Sequence, residues 1–246
     1  MLEIAKIGVQ KLLGCIGYRM VRVSGLAAGR RAKMMQHRGI QTVVDVGANV
    51  GQYGSELRKS GYSGRIISFE PTKLAYKKLS ARARQDPSWS VINCAIGEAN
   101  GEATIHVAAN GAASSSLLPM LALHEQCVPD AHYVAEEHVV VKTLDSALNE
   151  LLGADERVFL KIDAQGYEDR ILRGASKVLS QVELFETELT FVPLYDGQTL
   201  FEGMLALLKE KGFSPVQFTP ELADPITGQG LQVNGIFLKS TKSDPI

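Results

Sequence analysis

Short apolar runs alternate along the chain with segments of helical spacing. The run TVVDV (42–46) is apolar apart from Thr42 and Asp45, the pattern of a strand covered on both faces of a sheet, and a helix is predicted to begin near Gly51. RIISF (65–69) repeats the pattern and leads through Pro71 into a predicted helix over 72–85, which Asp86-Pro87 ends. WSVINCAI (89–96), EATIHVA (102–108), HVVVKTLD (138–145), VFLKID (158–163) and VELFETEL (182–189) read as further strands. Helices are predicted over SALNELLG (146–153) and over 168–180. LFEGMLALLKEKGF (200–213) has helically spaced apolar residues at Leu200, Met204, Leu207 and Leu208, and Gly212 closes it. SPVQFT and QVNGIFLK are two last strands joined by a Pro/Gly-rich loop (220–230), and residues 120–137 show no clear period.

Strands alternating with helices of this length predict βαβ units. The expected fold class is therefore α/β, a doubly wound, mostly parallel sheet with an antiparallel strand at one edge. Residues 1–38 are expected to form an N-terminal helical extension, and residues 39–246 one catalytic domain with an inserted lid or acceptor region at about 109–137. Glu3, Lys6, Gln10 and Lys11 interrupt the N-terminal apolar stretch, and Arg19 and Arg22 interrupt it again, so it is neither a membrane span nor a clean signal peptide. It reads as an amphipathic helix that can cover the sheet, pair with a second copy as a homodimer, or graze a lipid surface.

With 45% hydrophobic and 22% charged residues, the 246-residue chain is of ordinary globular composition and long enough for a large core. A formal net charge of -1 gives no general drive toward nucleic acid. The local cluster Arg30, Arg31, Lys33 and Arg38 reads as a solvated helix face. Three widely spaced cysteines, Cys15, Cys94 and Cys127, make neither a disulfide framework nor a zinc site and fit a reducing, cytoplasmic setting.

The candidate chemistry starts at TVVDVGANVGQY (42–53) and RIISFEP (65–71). In a doubly wound sheet ligands bind beyond the carboxyl ends of the strands, where Gly47 stands. A dinucleotide fingerprint wants Gly-x-Gly-x-x-Gly, but Gly47-Ala48-Asn49-Val50-Gly51-Gln52 has Asn49 and Gln52 where the second and third glycines would be. Pyrophosphate is therefore a poor guest, an NAD-dependent oxidoreductase is the weaker alternative, and a carboxylate or amino acid moiety suits the loop better. Glu70, ending the second strand, can accept two hydroxyls of a ribose or cap the next helix. Asp45 can reach a ligand's ammonium through water or stiffen the loop.

These residues resemble class I S-adenosylmethionine-dependent methyltransferases, and more closely the FkbM-type family. The resemblance rests on VVDVGANVGQY (43–53), ISFEP (67–71), NCAIGEANGEATIHV (93–107), VKTLDSAL (141–148), LKIDAQGYEDRILRGA (160–175) and VPLYDGQTLFE (192–202), in consistent order over roughly 42–240. It implies a seven-stranded, Rossmann-like sheet and S-adenosyl-L-methionine as cofactor. The methionine end would lie at Asp45, Gly47, Ala48, Asn49 and Gly51, the ribose at Glu70 beside Pro71, and the adenine near Asn93, Cys94 and Ala95. It also implies O-methylation of a hydroxyl on a sugar, glycolipid or polyketide-like acceptor. The position after Asp-x in KIDxxGYE is usually Glu or Gln, and Gln165 leaves one fewer acid beside Asp163.

A hydroxyl needs its proton accepted before it attacks a methyl group. The candidates for the base are Asp163, at the end of a central strand and also able to meet the cofactor, Glu188, His124 and His132. Lys161 reads as the partner of an acid, and Glu168 as a helix cap or loop closure. Glu186 and Glu188 share a face by strand alternation and can grip sugar hydroxyls. Ser115, in the polar loop Ser114–Ser116, and Tyr195 are candidate acceptor contacts. No metal is expected. A non-catalytic protein that holds S-adenosylmethionine is the other alternative.

Overall fold

The computed structural model describes residues 27–240, together with Cys15. The expected amphipathic helix and its homodimer contact fall mostly within residues 1–26, outside the described residues apart from Cys15. Helix α1 (Ala27–His37) is the described part of the expected N-terminal extension.

The central sheet has seven strands. They are β1 (Thr42–Val46), β2 (Arg65–Phe69), β3 (Trp89–Ile92), β7 (Val158–Ile162), β8 (Val182–Thr190), β9 (Phe213–Ala223) and β10 (Gly230–Lys239), in the spatial order β3-β2-β1-β7-β8-β10-β9. β1 pairs in parallel with β2 and β7, and every residue of β1 and β7 is buried. Those strands can be apolar throughout because helices cover both faces. One face packs on α1, α2 (Gln52–Lys59) and α3 (Lys73–Ala83), through Met35, Leu57 and Leu79. Leu148 of α5 (Leu144–Leu148), Leu172 of α6 (Glu168–Arg173) and Leu208 of α7 (Phe201–Glu210) pack the other. The expected antiparallel pair is present. Its reversed member is β10, inserted between β8 and β9 and antiparallel to both.

Three expectations shift. The single strand over 89–96 is two, because the chain turns at Asn93, whose amide donates to the carbonyls of Glu70 (2.8 Å) and Pro71 (2.9 Å). After that turn β4 (Ala95–Ile96) joins a second sheet with β5 (Gly101–Ala108) and β6 (Tyr133–Lys142), in the order β4-β6-β5. The helix expected over 168–180 stops at Arg173, since a Cβ on Gly174 would stand 2.3 Å from the Gly97 carbonyl oxygen and the Asp145 carboxylate takes the amides of Lys177 and Val178. The unassigned stretch holds a short helix, α4 (Ala122–Cys127), and the first residues of β6.

The basic cluster on α1 is not simply a solvated face. Arg31 is 7% exposed, its Nη2 lies 2.6 Å from Glu56 on α2 and its Nη1 3.3 Å from Glu186 on β8, and its guanidinium lies 4.7 Å from the centre of the Tyr53 ring. Arg30 bonds Gln217 of β9 at 2.9 Å. No helix among the described residues is long and apolar enough to cross a membrane.

Candidate active site

A cleft of about 330 Å³ opens at the carboxyl ends of β1, β2, β7 and β8, within the range of small-ligand sites. The glycine loop forms one wall. Gly47, Asn49 and Gly51 have φ of 76°, 47° and 83°, a left-handed run in which only Asn49 carries a side chain. The reason for glycine at 47 is a protein contact: a Cβ there would lie 1.8 Å from the carbonyl oxygen of Asp163. At Gly51 a Cβ would come within 2.8 Å of Leu79, so glycine there lets the loop pack closely on α3.

Most of the loop's amides are already committed. Those of Gly47 and Ala48 donate to the Phe69 carbonyl at 3.0 Å each, that of Asn49 to Glu70 Oε2 at 2.9 Å, and that of Gly51 to the Ala48 carbonyl at 2.8 Å. A pyrophosphate binds such a turn through free amides, so the dinucleotide alternative loses its main holding groups.

Glu70 is 5% exposed and lines the cleft. Its other oxygen, Oε1, accepts from the Thr72 amide (2.8 Å) and hydroxyl (2.6 Å). Glu70 thus joins the glycine loop to the start of α3 while still lining the cleft. Burial pushes its carboxyl above the usual range, against the pull of these three donors.

Below the loop, Asp45 is 0% exposed, with Oδ1 3.1 Å from Lys161 Nζ. The same ammonium lies 3.3 Å from Asp163 Oδ2 and 5.1 Å from the centre of the Tyr53 ring. Burial alone would lower the lysine, but the two carboxylates outweigh it and hold Lys161 cationic. Burial opposes ionisation of Asp45, and Lys161 is what offsets it.

Asp163 and Glu188 both line the cleft and meet at Gln165, whose Nε2 donates to Asp163 Oδ1 (2.8 Å) and Glu188 Oε2 (3.0 Å). The Gln165 amide oxygen lies 2.7 Å from the Tyr195 hydroxyl, and its backbone carbonyl accepts from Ser116 at 2.7 Å. Gln165 is therefore the hub that joins the two acids to the 112–117 loop. Its sequence signal was a polar residue next to Gly166 just past a strand end, where both φ are positive (52° and 94°). Burial, then Asp163, Glu168 and Glu221, push Glu188 well above the carboxylate range.

The remaining candidates separate. Ser115 and His124 line the cleft, as do Cys94, Ala95 and Pro71. His124 is 3% exposed, its Nε2 is 3.4 Å from Ser114 Oγ, and burial lowers it toward the neutral form. Tyr195 is wholly buried behind Gln165 and does not line the cleft. Glu186 shares its face with Glu188, as expected, but bonds the Tyr53 hydroxyl (2.6 Å) and Arg31 instead of facing the cleft. His132 is exposed and 3.0 Å from the Pro129 carbonyl of its own turn, away from the cleft. Asn93 braces the Glu70–Pro71 backbone from outside. No group of three or more metal-ligating side chains occurs among the described residues.

Glu168 closes the loop, accepting from the amides of Ala164 (2.9 Å) and Gly166 (3.2 Å), and burial pushes its carboxyl up to about 7. A raised folded-state value makes its contribution complete below about pH 4.5 and lost as pH rises through about 7. The stability of Glu168→Gln relative to the native chain should therefore rise by about 1–3 kcal/mol between pH 5 and pH 8, at 1.36 kcal/mol per pKa unit. Urea titrations of both proteins at the two pH values check this; a difference independent of pH would contradict it.

The Methyltransferase FkbM domain model matches residues 45–215. A methyltransferase sdnD of Sordaria araneosa is 24% identical over 192 residues, covering 70% of this chain and 73% of that protein. Among solved structures, magnesium protoporphyrin IX methyltransferase of Synechocystis with bound S-adenosylmethionine is 10% identical at a TM-score of 0.47, covering 87% of this chain and 78% of that one. A 1,6-didemethyltoxoflavin-N1-methyltransferase of Burkholderia thailandensis, with S-adenosylhomocysteine bound, is 13% identical at a TM-score of 0.45, covering 89% and 80%.

Proposed function

Because the chain belongs to the FkbM family of S-adenosylmethionine-dependent methyltransferases, we propose that it methylates a hydroxyl of a sugar, glycolipid or polyketide-like acceptor, with Glu188 as the proton acceptor. The observation that carries this reading is the position of Glu188. It faces the same cleft as the glycine loop, accepts from two neutral amides (Gln165 at 3.0 Å and Gln232 at 3.4 Å), and makes no ion pair among the described residues. A carboxylate raised by burial and like charge is a better base near neutrality than an ordinary one. Asp163, 3.3 Å from the Lys161 ammonium and tied to Gln165, orients the site.

The cleft fits the cofactor. Glu70 takes the ribose hydroxyls, the Gly47–Gly51 loop with Asp163 takes the methionine end, and Cys94 and Ala95 flank the adenine. When bound, S-adenosylmethionine supplies an electrophilic methyl group. Glu188 would receive the proton of the acceptor hydroxyl, whose oxygen would take the methyl group as its bond to the sulfonium sulfur breaks and S-adenosylhomocysteine leaves. Gln165 keeps Glu188 and Asp163 aligned, and the 112–117 segment with Ser115 covers the site and excludes water. The free cysteines Cys94 and Cys127 fit a reducing, cytoplasmic setting.

Calorimetry with S-adenosylmethionine and S-adenosylhomocysteine tests the cofactor half. Glu70→Ala should weaken both by roughly 10- to 100-fold, the loss of charge-assisted hydrogen bonds to hydroxyls; unchanged affinity would remove Glu70 from the ribose. For the chemistry, Glu188→Gln should lower kcat by about 10²- to 10⁴-fold while cofactor affinity stays within about threefold. His124→Asn in parallel decides between bases: a comparable loss there with Glu188→Gln active would transfer the role to the imidazole, which lines the cleft and has no partner at Nδ1 among the described residues.

A further inference from the structure

The cleft has an acidic wall that the proton transfer does not use up. Glu70, Asp163, Glu188 and Glu221 line it, and no lysine or arginine does among the described residues. The Lys161 ammonium beneath it is taken by Asp45 and Asp163. Glu221 stands on β9 and accepts only from a neutral amide, Asn234 Nδ2 at 2.7 Å, with no ion pair among the described residues. Asn234 is the register partner of Glu188 across the β8–β10 ladder, so Glu221 lies beside the proposed base on the side away from the glycine loop.

The cofactor's own positive charge does not account for Glu221. Asp163 at the end of β7 is the acid in backbone contact with Gly47, whereas β9 is three strands further along the order β7-β8-β10-β9. At about 4.8 Å per strand that is roughly 14 Å across the sheet. An unsatisfied group lines the same cleft: Glu221 is exposed and bonded to Asn234, but His124 is 3% exposed, with no hydrogen-bond partner for Nδ1 among the described residues. The site thus offers a held carboxylate without a counter-charge and an imidazole whose Nδ1 has no partner among the described residues.

We propose that Glu221, oriented by Asn234, seats a cationic amine of the acceptor, so that the substrate is an amine-bearing polyol methylated on a neighbouring hydroxyl. Acceptors carrying carboxylate, phosphate or sulfate meet like charge on this wall and are turned away. A charge-assisted hydrogen bond to an ammonium favours the amine over its neutral analogue by roughly 10-fold or more. The inference rests on the methyltransferase reading.

The test uses the full chain saturated with S-adenosylhomocysteine and three matched probes, glucosamine, glucose and glucuronic acid, with binding read by saturation-transfer NMR at neutral pH. Glucosamine should bind at least about 10-fold more tightly than glucose, with glucuronic acid weakest, and Glu221→Gln should close the gap between the first two. Equal behaviour of the three sugars, whether all bind or none does, overturns the proposal, as does a gap that survives Glu221→Gln. Cofactor calorimetry on both proteins separates the failures. If Glu221→Gln weakens S-adenosylmethionine and leaves the sugar order unchanged, the carboxylate serves the cofactor and the proposal is overturned. If the native chain binds neither cofactor form, the methyltransferase reading has failed and this inference falls with it.

Discussion

Lys161→Met should lose about 3–5 kcal/mol of unfolding free energy at neutral pH, the usual result of removing one partner from a buried ion pair. Asp45 is 0% exposed and Lys161 is its ion-pair partner, so methionine, of similar length and apolar, leaves a carboxylate in the middle of the sheet with no compensation. The pH dependence identifies the cause. Without Lys161 the folded-state pKa of Asp45 rises further above its unfolded value, so the penalty is largest at high pH and shrinks as acid protonates the group. Adding Asp45→Asn should restore much of the loss at pH 7 and flatten the pH dependence. Denaturant titrations of the single and double variants between pH 5 and 8 measure both effects. A Lys161→Met loss below about 1 kcal/mol, or one that grows as pH falls, would mean that the pair is not what holds Asp45.

Gly47→Ala should be worse than its added methyl suggests. A non-glycine residue in the left-handed region costs about 1–2 kcal/mol, and the new Cβ would stand 1.8 Å from the Asp163 carbonyl oxygen, so the β1 and β7 loops must also part. The expected total exceeds about 4 kcal/mol, and any folded fraction should lose cofactor affinity because Asp163 moves. Gly61→Ala is the control: its φ is 93°, but a Cβ there meets nothing within 4 Å, so it should show only the conformational part. Equal destabilisation of the two variants would show that loop contact contributes nothing.

Most of the central sheet was legible because its determinants are local. β1 and β7 are short apolar runs, and the turn glycines sit directly at the end of β1. The glycine loop and Glu70 were legible for the same reason: the stretch after β1 and the end of β2 carry their own residue requirements. What was not legible depends on distant partners. Arg31 looked like one charge of a solvated run, but the carboxylate beside it, Glu186, is 155 residues further on. The hub at Gln165 looked like a loss of an acid beside Asp163, and its meaning appears only when Tyr195, 30 residues later, meets its amide oxygen. His132 and His124 looked equivalent in an unassigned stretch. The short helix α4 buries one, and the following turn leaves the other in solvent. The second sheet was obscured because much of β6 is exposed, Val134 and Val140 among it, so no clean alternation marks its first residues.

The reversed position of β10 has a consequence for the order of manufacture. Chains are made from the N-terminus, and β10 occupies the place between β8 and β9. A ribosome that has released everything through β9 has made the glycine loop, Glu70, Asp163 and Glu188, yet β9 has no neighbour to pair with and Glu221 no Asn234 to orient it. Pairing at that edge waits for the last strand. The half of the cleft that carries Glu221 is thus assembled after the half that carries the glycine loop.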